Sequence, residues 1–256
     1  MAVQDWLTTR PIAHRGLHGG PEGAEENSPA AFLQAVRHGV PFELDVQLTA
    51  DRELLVVHDA FLRTTRDGTP VPVAGATLSE IRALARPGDA PVTLATALDL
   101  VRGAVPVVVD VRRWRAGTAR GLEEAVAAAV TGYRGEIALQ SFDPRSVYRL
   151  RRLLPHRPVG QISGALASAP LLLAVAGRTM ATNMLTRPDF VSFELAALPS
   201  RALRFWRRRG LPVIGWTVHS PAELAAAASE IDNYFFELFE GHLPCHPAPQ
   251  PSQQGS

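Results

Sequence analysis

Hydrophobic and polar positions along this chain follow two periods, and the switches between them mark out its elements. Period-two or continuously apolar runs occur at 11–14, 42–48, 54–57, 105–111 (VPVVVDV), 136–142 (EIALQSF), 157–163 (RPVGQIS), 189–195 (DFVSFEL), 211–218 (LPVIGWTV) and 233–238 (NYFFEL). Between them, helical spacing predicts helices near 28–38, 93–102, 117–131, 144–154, 165–180, 199–209 and 221–229. The first of these is well bounded. Ser28 is a good N-cap, Pro29 suits the first helical position, and Gly39 suits the stop. Setting aside 54–57, eight strands alternate mostly with helices, which predicts parallel βαβ units and a closed (β/α)8 barrel.

The run 54–57 does not fit that alternation. Ala50-Asp51-Arg52 is too short a link for a parallel crossover, so 42–48 and 54–57 should pair as an antiparallel hairpin after the second strand. Centring the hairpin on Ala50-Asp51 brings His58 back approximately opposite Glu43. Residues 60–92 carry Gly- and Pro-containing polar segments with a helix at Leu78 to Leu84, and read as an insertion. The expected organisation is one barrel domain over 1–244 and a disordered tail over 245–256, rich in Pro, Gln and Ser.

Composition narrows the class. The chain has 256 residues, 46% hydrophobic, enough for a sizeable core, and a net charge of +1 that gives no reason to expect nucleic acid. All 26 basic side chains are arginine, so any phosphate contact uses Arg, His or backbone N–H. Cys245 is the only cysteine, which rules out an intrachain disulfide. The N-terminal MAVQDWLTTRP lacks a signal-peptide core and no apolar run reaches spanning length, so a cytoplasmic protein is expected.

Within the strand 42–48, Glu43, Asp45 and Gln47 share one face with no cation between them. Unpaired buried carboxylates cost several kcal/mol, about enough to demand a partner. With Asp110 on the third strand they form an all-oxygen set, which suits Mg²⁺ or Ca²⁺ better than zinc. Local pairing with Arg15 or Arg112 would also satisfy them. In a barrel, polar residues at strand C-termini converge at one mouth. There stand His14, Arg15, Gln140, Ser141, Gln161, Glu194, Trp216 and His219. His14 and His58 could act as an acid–base pair or simply cap strand ends. Arg15 and Arg112 could hold a phosphoryl group or neutralise the acids. Trp216 could pack on a substrate or close the barrel. Arg204, Arg207, Arg208 and Arg209 around Trp206 read as a solvated helix face, with contact to anionic lipid headgroups the less favoured reading.

The ordered set AHRG, EENS, FELDVQLTADRELLVVHD, VVVDVR, LQSFDP and GWTVHSP resembles the glycerophosphodiester phosphodiesterase family, over roughly 10–240. The resemblance implies a distorted barrel with a small insertion after the His-Asp motif. It also implies metal-dependent hydrolysis of glycerophosphodiesters to glycerol 3-phosphate and an alcohol. Carried over, His14 and His58 are the acid–base pair, Arg15 contacts phosphate, and Glu43 and Asp45 are metal ligands. Glu26 and Asn27 match the family's Glu-Asn and are supporting residues, and Gln140 is placed with them. Two positions depart from the pattern. Asp110-x-Arg112 replaces the family's Glu-x-Lys, and the Asp also resembles the sphingomyelinase D branch, so a lysophospholipase D or sphingomyelinase D-like activity stays open. IDNYFFELFEG replaces the usual Gly- and Asp-rich final strand, which leaves its loop contribution open. An inactive phosphate-binding barrel is the remaining alternative; headgroup and oligomeric state are not set by the sequence.

Overall fold

The structure, a computed structural model, describes residues 4–20, 22–62, 68–85, 90–114, 120–165, 171–238 and 243, with the side chains of 172 and 173 excepted. The predicted tail and Cys245 lie outside the described residues. Strands in chain order are β1 Ile12–Ala13, β2 Phe42–Leu48, β3 Leu54–Val56, β4 Phe61–Leu62, β5 Val71–Pro72, β6 Val107–Val111, β7 Ile137–Ser141, β8 Val159–Ser163, β9 Phe190–Glu194, β10 Val213–Val218 and β11 Asn233–Phe236. Helices are α1 Trp6–Thr9, α2 Pro29–Arg37, α3 Leu78–Leu84, α4 Leu94–Val101, α5 Leu122–Thr131, α6 Pro144–Leu153, α7 Leu171–Thr179, α8 Asn183–Thr186, α9 Arg201–Arg207 and α10 Pro221–Ala227.

Eight strands pair in parallel in the order β1-β11-β10-β9-β8-β7-β6-β2, and β1 also pairs with β2, so the sheet closes on itself as a (β/α)8 barrel. The closure explains why runs such as VVVDV are buried on both faces: helices cover the outside and side chains fill the lumen. Ile12, Val108, Ala138, Phe190, Ile214 and Phe235 cluster inside the barrel with Trp6 and Leu7 of α1. α1 was not foreseen by the helical spacing, and it sets an apolar plug beneath that layer. The larger cluster, with Phe32, Leu98, Val126, Val147 and Leu203 from five helices, joins the helices to the outward faces of the strands. Parity puts Asp110 on the same inward face as Val108, two residues nearer the C-terminal mouth. Asp45 stands beside it, paired Asp45 to Asp110 and Asp110 to Gln140 in the ladder.

The hairpin forms as expected but its register is slightly later. Val46 pairs with Val56 and Leu48 with Leu54, centring the turn on Asp51, and the ladder stops before His58. The insertion holds the antiparallel pair β4–β5 and α3, whose N-terminus carries a reciprocal Thr77–Glu80 capping box. Trp216 lies within β10, inside the run 211–218. On α9 the arginine face is not wholly solvated: Arg207 donates to Asp232 at 2.9 Å and Trp206 packs partly against the core. Among the described residues no helix is long and apolar enough to cross a membrane.

Candidate active site

The mouth of the barrel is built first by the turn after β1. Arg15 and Asn27 both adopt left-handed backbone, with φ of 53° and 55°, a conformation that costs non-glycine residues energy and concentrates at functional sites. That turn points the Arg15 N–H at Glu43 Oε2, 2.9 Å away, and the Gly16 N–H at the Glu43 carbonyl, also 2.9 Å. The Arg15 carbonyl in turn accepts from the Asn27 N–H at 2.8 Å. The sequence segments HRG and ENS are thereby folded against the acidic strand β2.

Glu43, Asp45 and Asp110 each offer a carboxylate oxygen, and these atoms all lie within 4.8 Å of one another. All three residues are buried. Arg112 Nη1 stands 3.1 Å from Asp110 Oδ2 and 3.5 Å from Asp45 Oδ1, and Arg15 Nε stands 3.5 Å from Asp45 Oδ2. Arginine pairing and a shared oxygen cluster therefore coexist. Burial pushes the Asp45 carboxyl up, but Arg112, His58, Arg15 and the Asn27 amide outweigh it and hold Asp45 below its ordinary range. Glu43 gains no such excess of positive charge: burial, with repulsion from Asp45 and Asp110, raises it well above the usual carboxylate value. Burial likewise raises Asp110, to about 7, against the pull of Arg112.

Three acids thus face two guanidiniums, and burial with mutual repulsion favours the uncharged forms of Glu43 and Asp110. Asp110 Oδ1 is buried without a hydrogen-bond partner. Buried polar atoms are rarely left so. A hard divalent cation fits this set, because it would take up the orphaned oxygen and supply the positive charge that the three buried carboxylates lack.

The two histidines sit on either side of β2 in the chain. His14 follows β1, and its Nδ1 lies 3.0 Å from Glu237 Oε1. His58 follows β3, and its Nδ1 lies 2.8 Å from Asp59 Oδ1. Since the hairpin ladder has ended, a side chain takes over its work. Gln47 Nε2 lies 3.0, 2.9 and 2.7 Å from the carbonyls of Val57, His58 and Asp59, folding the strand end over β2. Burial, aided by the charges of Arg112 and Arg15, lowers the His58 imidazole against the opposing pull of Asp45.

The remaining sequence-selected residues divide. Glu26 accepts from Arg15 Nη1 at 2.7 Å, and Asn27 bonds Asp45. Gln140, paired with Asp110 in the ladder, accepts from Ser192 Oγ at 2.6 Å. Trp216 buries its Nε1 without a hydrogen-bond partner and meets Phe142 edge to face at 5.9 Å. The Arg112 guanidinium stacks over Trp114 at 4.7 Å and Phe142 at 5.0 Å, and Trp114 also faces the His58 ring at 6.0 Å. Glu237 and Trp114 were missed by the sequence reading. Each follows a strand by one to three residues, a position that marks the barrel mouth but does not name the side chain's partner.

Known proteins resemble this chain over most of its length. The chain is 29% identical over 220 residues to YhdW of Bacillus subtilis, spanning 82% of this chain and 86% of that protein. It is 31% identical over 167 residues to the glycerophosphodiester phosphodiesterase of Caldanaerobacter subterraneus, spanning 60% and 66%. A phosphodiesterase of Oleispira antarctica, solved in complex with its product sn-glycerol 3-phosphate, shares the fold with a TM-score of 0.70 at 19% identity, over 90% of this chain and 93% of that one. Residues 14–232, from the HRG histidine to the residue before the last barrel strand, match the Glycerophosphoryl diester phosphodiesterase family, and the chain belongs to that family.

Proposed function

We propose that this chain hydrolyses glycerophosphodiesters to sn-glycerol 3-phosphate and an alcohol, with His14 and His58 moving the protons and Glu43, Asp45 and Asp110 holding Mg²⁺ or Ca²⁺. The observation that supports this reading is a buried carboxylate cluster tied to both histidine segments: Arg15, the residue after His14, donates its N–H to Glu43, and His58 interacts with Asp45, while each imidazole has its Nδ1 against a carboxylate. That arrangement leaves both Nε2 atoms for chemistry. One imidazole takes a proton from the attacking hydroxyl, either of water or of the glycerol moiety itself, the latter giving a cyclic phosphate that water then opens to glycerol 3-phosphate. The other returns a proton to the alkoxide released as the phosphorus–oxygen bond breaks. Arg15 and Arg112 supply fixed positive charge for the phosphoryl oxygens, and Trp216 offers an aromatic wall and a free N–H donor. A divalent cation on the three acids supplies charge that offsets the negative oxygens of the transition state.

The test is release of glycerol 3-phosphate from glycerophosphocholine and related headgroups, with Mg²⁺ or Ca²⁺ and with EDTA. Product that disappears with EDTA and with His14→Ala or His58→Ala, in proteins that remain folded, is the expected result. Turnover near wild type in either variant, or no cation-dependent product across headgroups, overturns the reading.

A further inference from the structure

We propose that Glu237, the residue immediately after β11, is the positioning residue of His14: it fixes which ring nitrogen carries the proton and which way the other faces. The proposal deepens the reading of His14 as a proton-transfer group and rests on it for its catalytic consequence. Its structural content stands on the contact across the barrel seam.

The seam is the place where the first and last strands meet. The His14 N–H donates to the Phe236 carbonyl at 2.8 Å, and the Glu237 N–H donates to the Val218 carbonyl at 3.1 Å. Both backbones are therefore locked to the sheet, and the 3.0 Å contact between Glu237 Oε1 and His14 Nδ1 joins two fixed points 223 positions apart in the chain. Glu237 Oε2 lies 3.4 Å from His219 Nδ1, at the end of β10. A carboxylate so placed is divided between two imidazoles and anchored from both sides.

An ionised carboxylate can only accept a hydrogen bond, so the His14 nitrogen facing it must be the protonated one. In the neutral ring the lone pair is then on Nε2. Without that partner, a neutral imidazole distributes its proton between both nitrogens and its ring can turn, which lowers the fraction competent to take a proton. The hydrogen bond from His14 holds the Glu237 carboxyl down, to about 2, so it is ionised across the neutral range. His219 and His18 add positive charge on the same side when protonated, and Arg15 and Glu26 are the other charged groups facing this corner.

The sequence contained no motif at this position. The final strand ends at Phe235-Phe236 with Glu237 next in the chain, and only closure of the barrel brings that acid beside the first histidine. Asp59 stands to His58 as Glu237 stands to His14, but as a chain neighbour. One histidine thus takes its carboxylate from the next residue and the other from the far end of the barrel.

The experiment is long-range ¹H–¹⁵N NMR of the histidines in the wild-type chain, Glu237→Ala and Glu237→Asp, with kcat and KM measured in parallel. The wild type should show His14 protonated at Nδ1 with Nε2 bare. Glu237→Ala should show a mixed or Nε2-protonated ring and a kcat lower by about 10²–10⁴-fold, with KM little changed. Glu237→Asp should recover part of both. Nε2 protonation in the wild type overturns the proposal without any variant. So does a Glu237→Ala protein that keeps both the wild-type tautomer and kcat. Since the NMR readout needs no substrate, a wrong assignment of the reaction would show as absent turnover beside an unchanged tautomer result.

Discussion

Asn27 and Asp45 hold each other by two hydrogen bonds that run in opposite directions. The Asn27 side-chain amide donates to Asp45 Oδ2 at 2.9 Å, and the Asp45 backbone N–H donates to Asn27 Oδ1 at 3.1 Å. Both residues are buried, and only an amide has the donor and the acceptor that this pairing needs. Asn27→Asp puts a carboxylate against Asp45 in the place of the donor, and Asn27→Ala removes both bonds. Each should weaken divalent-cation affinity by about 10–100-fold, as loss of a ligand's supporting partner typically does. Titration calorimetry with Mg²⁺ or Ca²⁺ reads this directly, and Asn27→Asp should be the worse of the two. Unchanged affinity in both would show that Asp45 needs no help from the EENS turn.

Arg112 answers two acids at once, and its stacking on Trp114 and Phe142 fixes the plane of its fork. Arg112→Ala leaves Asp45 and Asp110 facing each other with Arg15 as the remaining guanidinium of the cluster. Breaking a buried pair in this way costs about 3–5 kcal/mol. The loss should be large in EDTA and much smaller with saturating divalent cation, since the cation would supply the missing charge. Urea unfolding with and without cation measures the difference. Arg112→Lys keeps the charge and should lose less, through the stacking alone. An equal loss under both conditions would separate Arg112 from the carboxylate cluster.

How much of this was legible beforehand depends on the distance over which each feature is encoded. The barrel strands were readable because each is a local apolar run, and Glu43, Asp45 and Asp110 stood out as acids inside such runs. The HRG, ENS and HD segments were readable because their chemistry lies in consecutive residues. The Asn27–Asp45 pairing was not, because it depends on left-handed backbone at Asn27 that the residue type permits but does not demand. Glu237 was hidden for a stronger reason. Its meaning is created by closure of the sheet, a relationship between chain ends that no window of sequence contains. His58 is intermediate: hairpin arithmetic brought it near β2, but Gln47, not the ladder, finishes the placement.

The raised titration of Glu43 and Asp110 predicts a pH dependence with a definite sign. An aspartate in an unfolded chain titrates near about 3.9, whereas Asp110 in the fold is raised to about 7. Between those values the folded state binds more protons than the unfolded one, so stability without cation should fall as pH rises from 4 to 7 from this group. Glu43, raised in the same direction, adds to the fall. Glu237 runs the other way, but its contribution is lost only as pH drops from the ordinary glutamate range toward about 2. A divalent cation should bind more tightly as pH rises and should release protons on binding, readable as buffer-dependent heats. Calorimetric heats independent of the buffer's ionisation enthalpy near pH 6 would contradict the assignment.

Gly16 tests whether the HRG turn is held by sterics or only by its hydrogen bonds. Its φ is +83°, and a Cβ added there would stand 2.8 Å from Ala31 Cβ and 3.1 Å from Phe32 Cδ1. Both contacts lie on α2, so the methyl would push the turn away from the helix that supports it. Gly19, four residues from Arg15, is the control: its φ is +71°, yet an added Cβ meets nothing within 4 Å. Gly19→Ala should cost only the backbone strain, about 1 kcal/mol. Gly16→Ala carries the same strain and the collision, for a total of about 2–4 kcal/mol by urea or thermal unfolding. Because the Gly16 N–H holds the Glu43 carbonyl and the Arg15 N–H holds its carboxylate, the displacement should reach the acids as well as the helix. Cation affinity should therefore drop in Gly16→Ala and not in Gly19→Ala. Equal stability and equal affinity in the two variants would mean that α2 yields to the methyl and does not brace the turn.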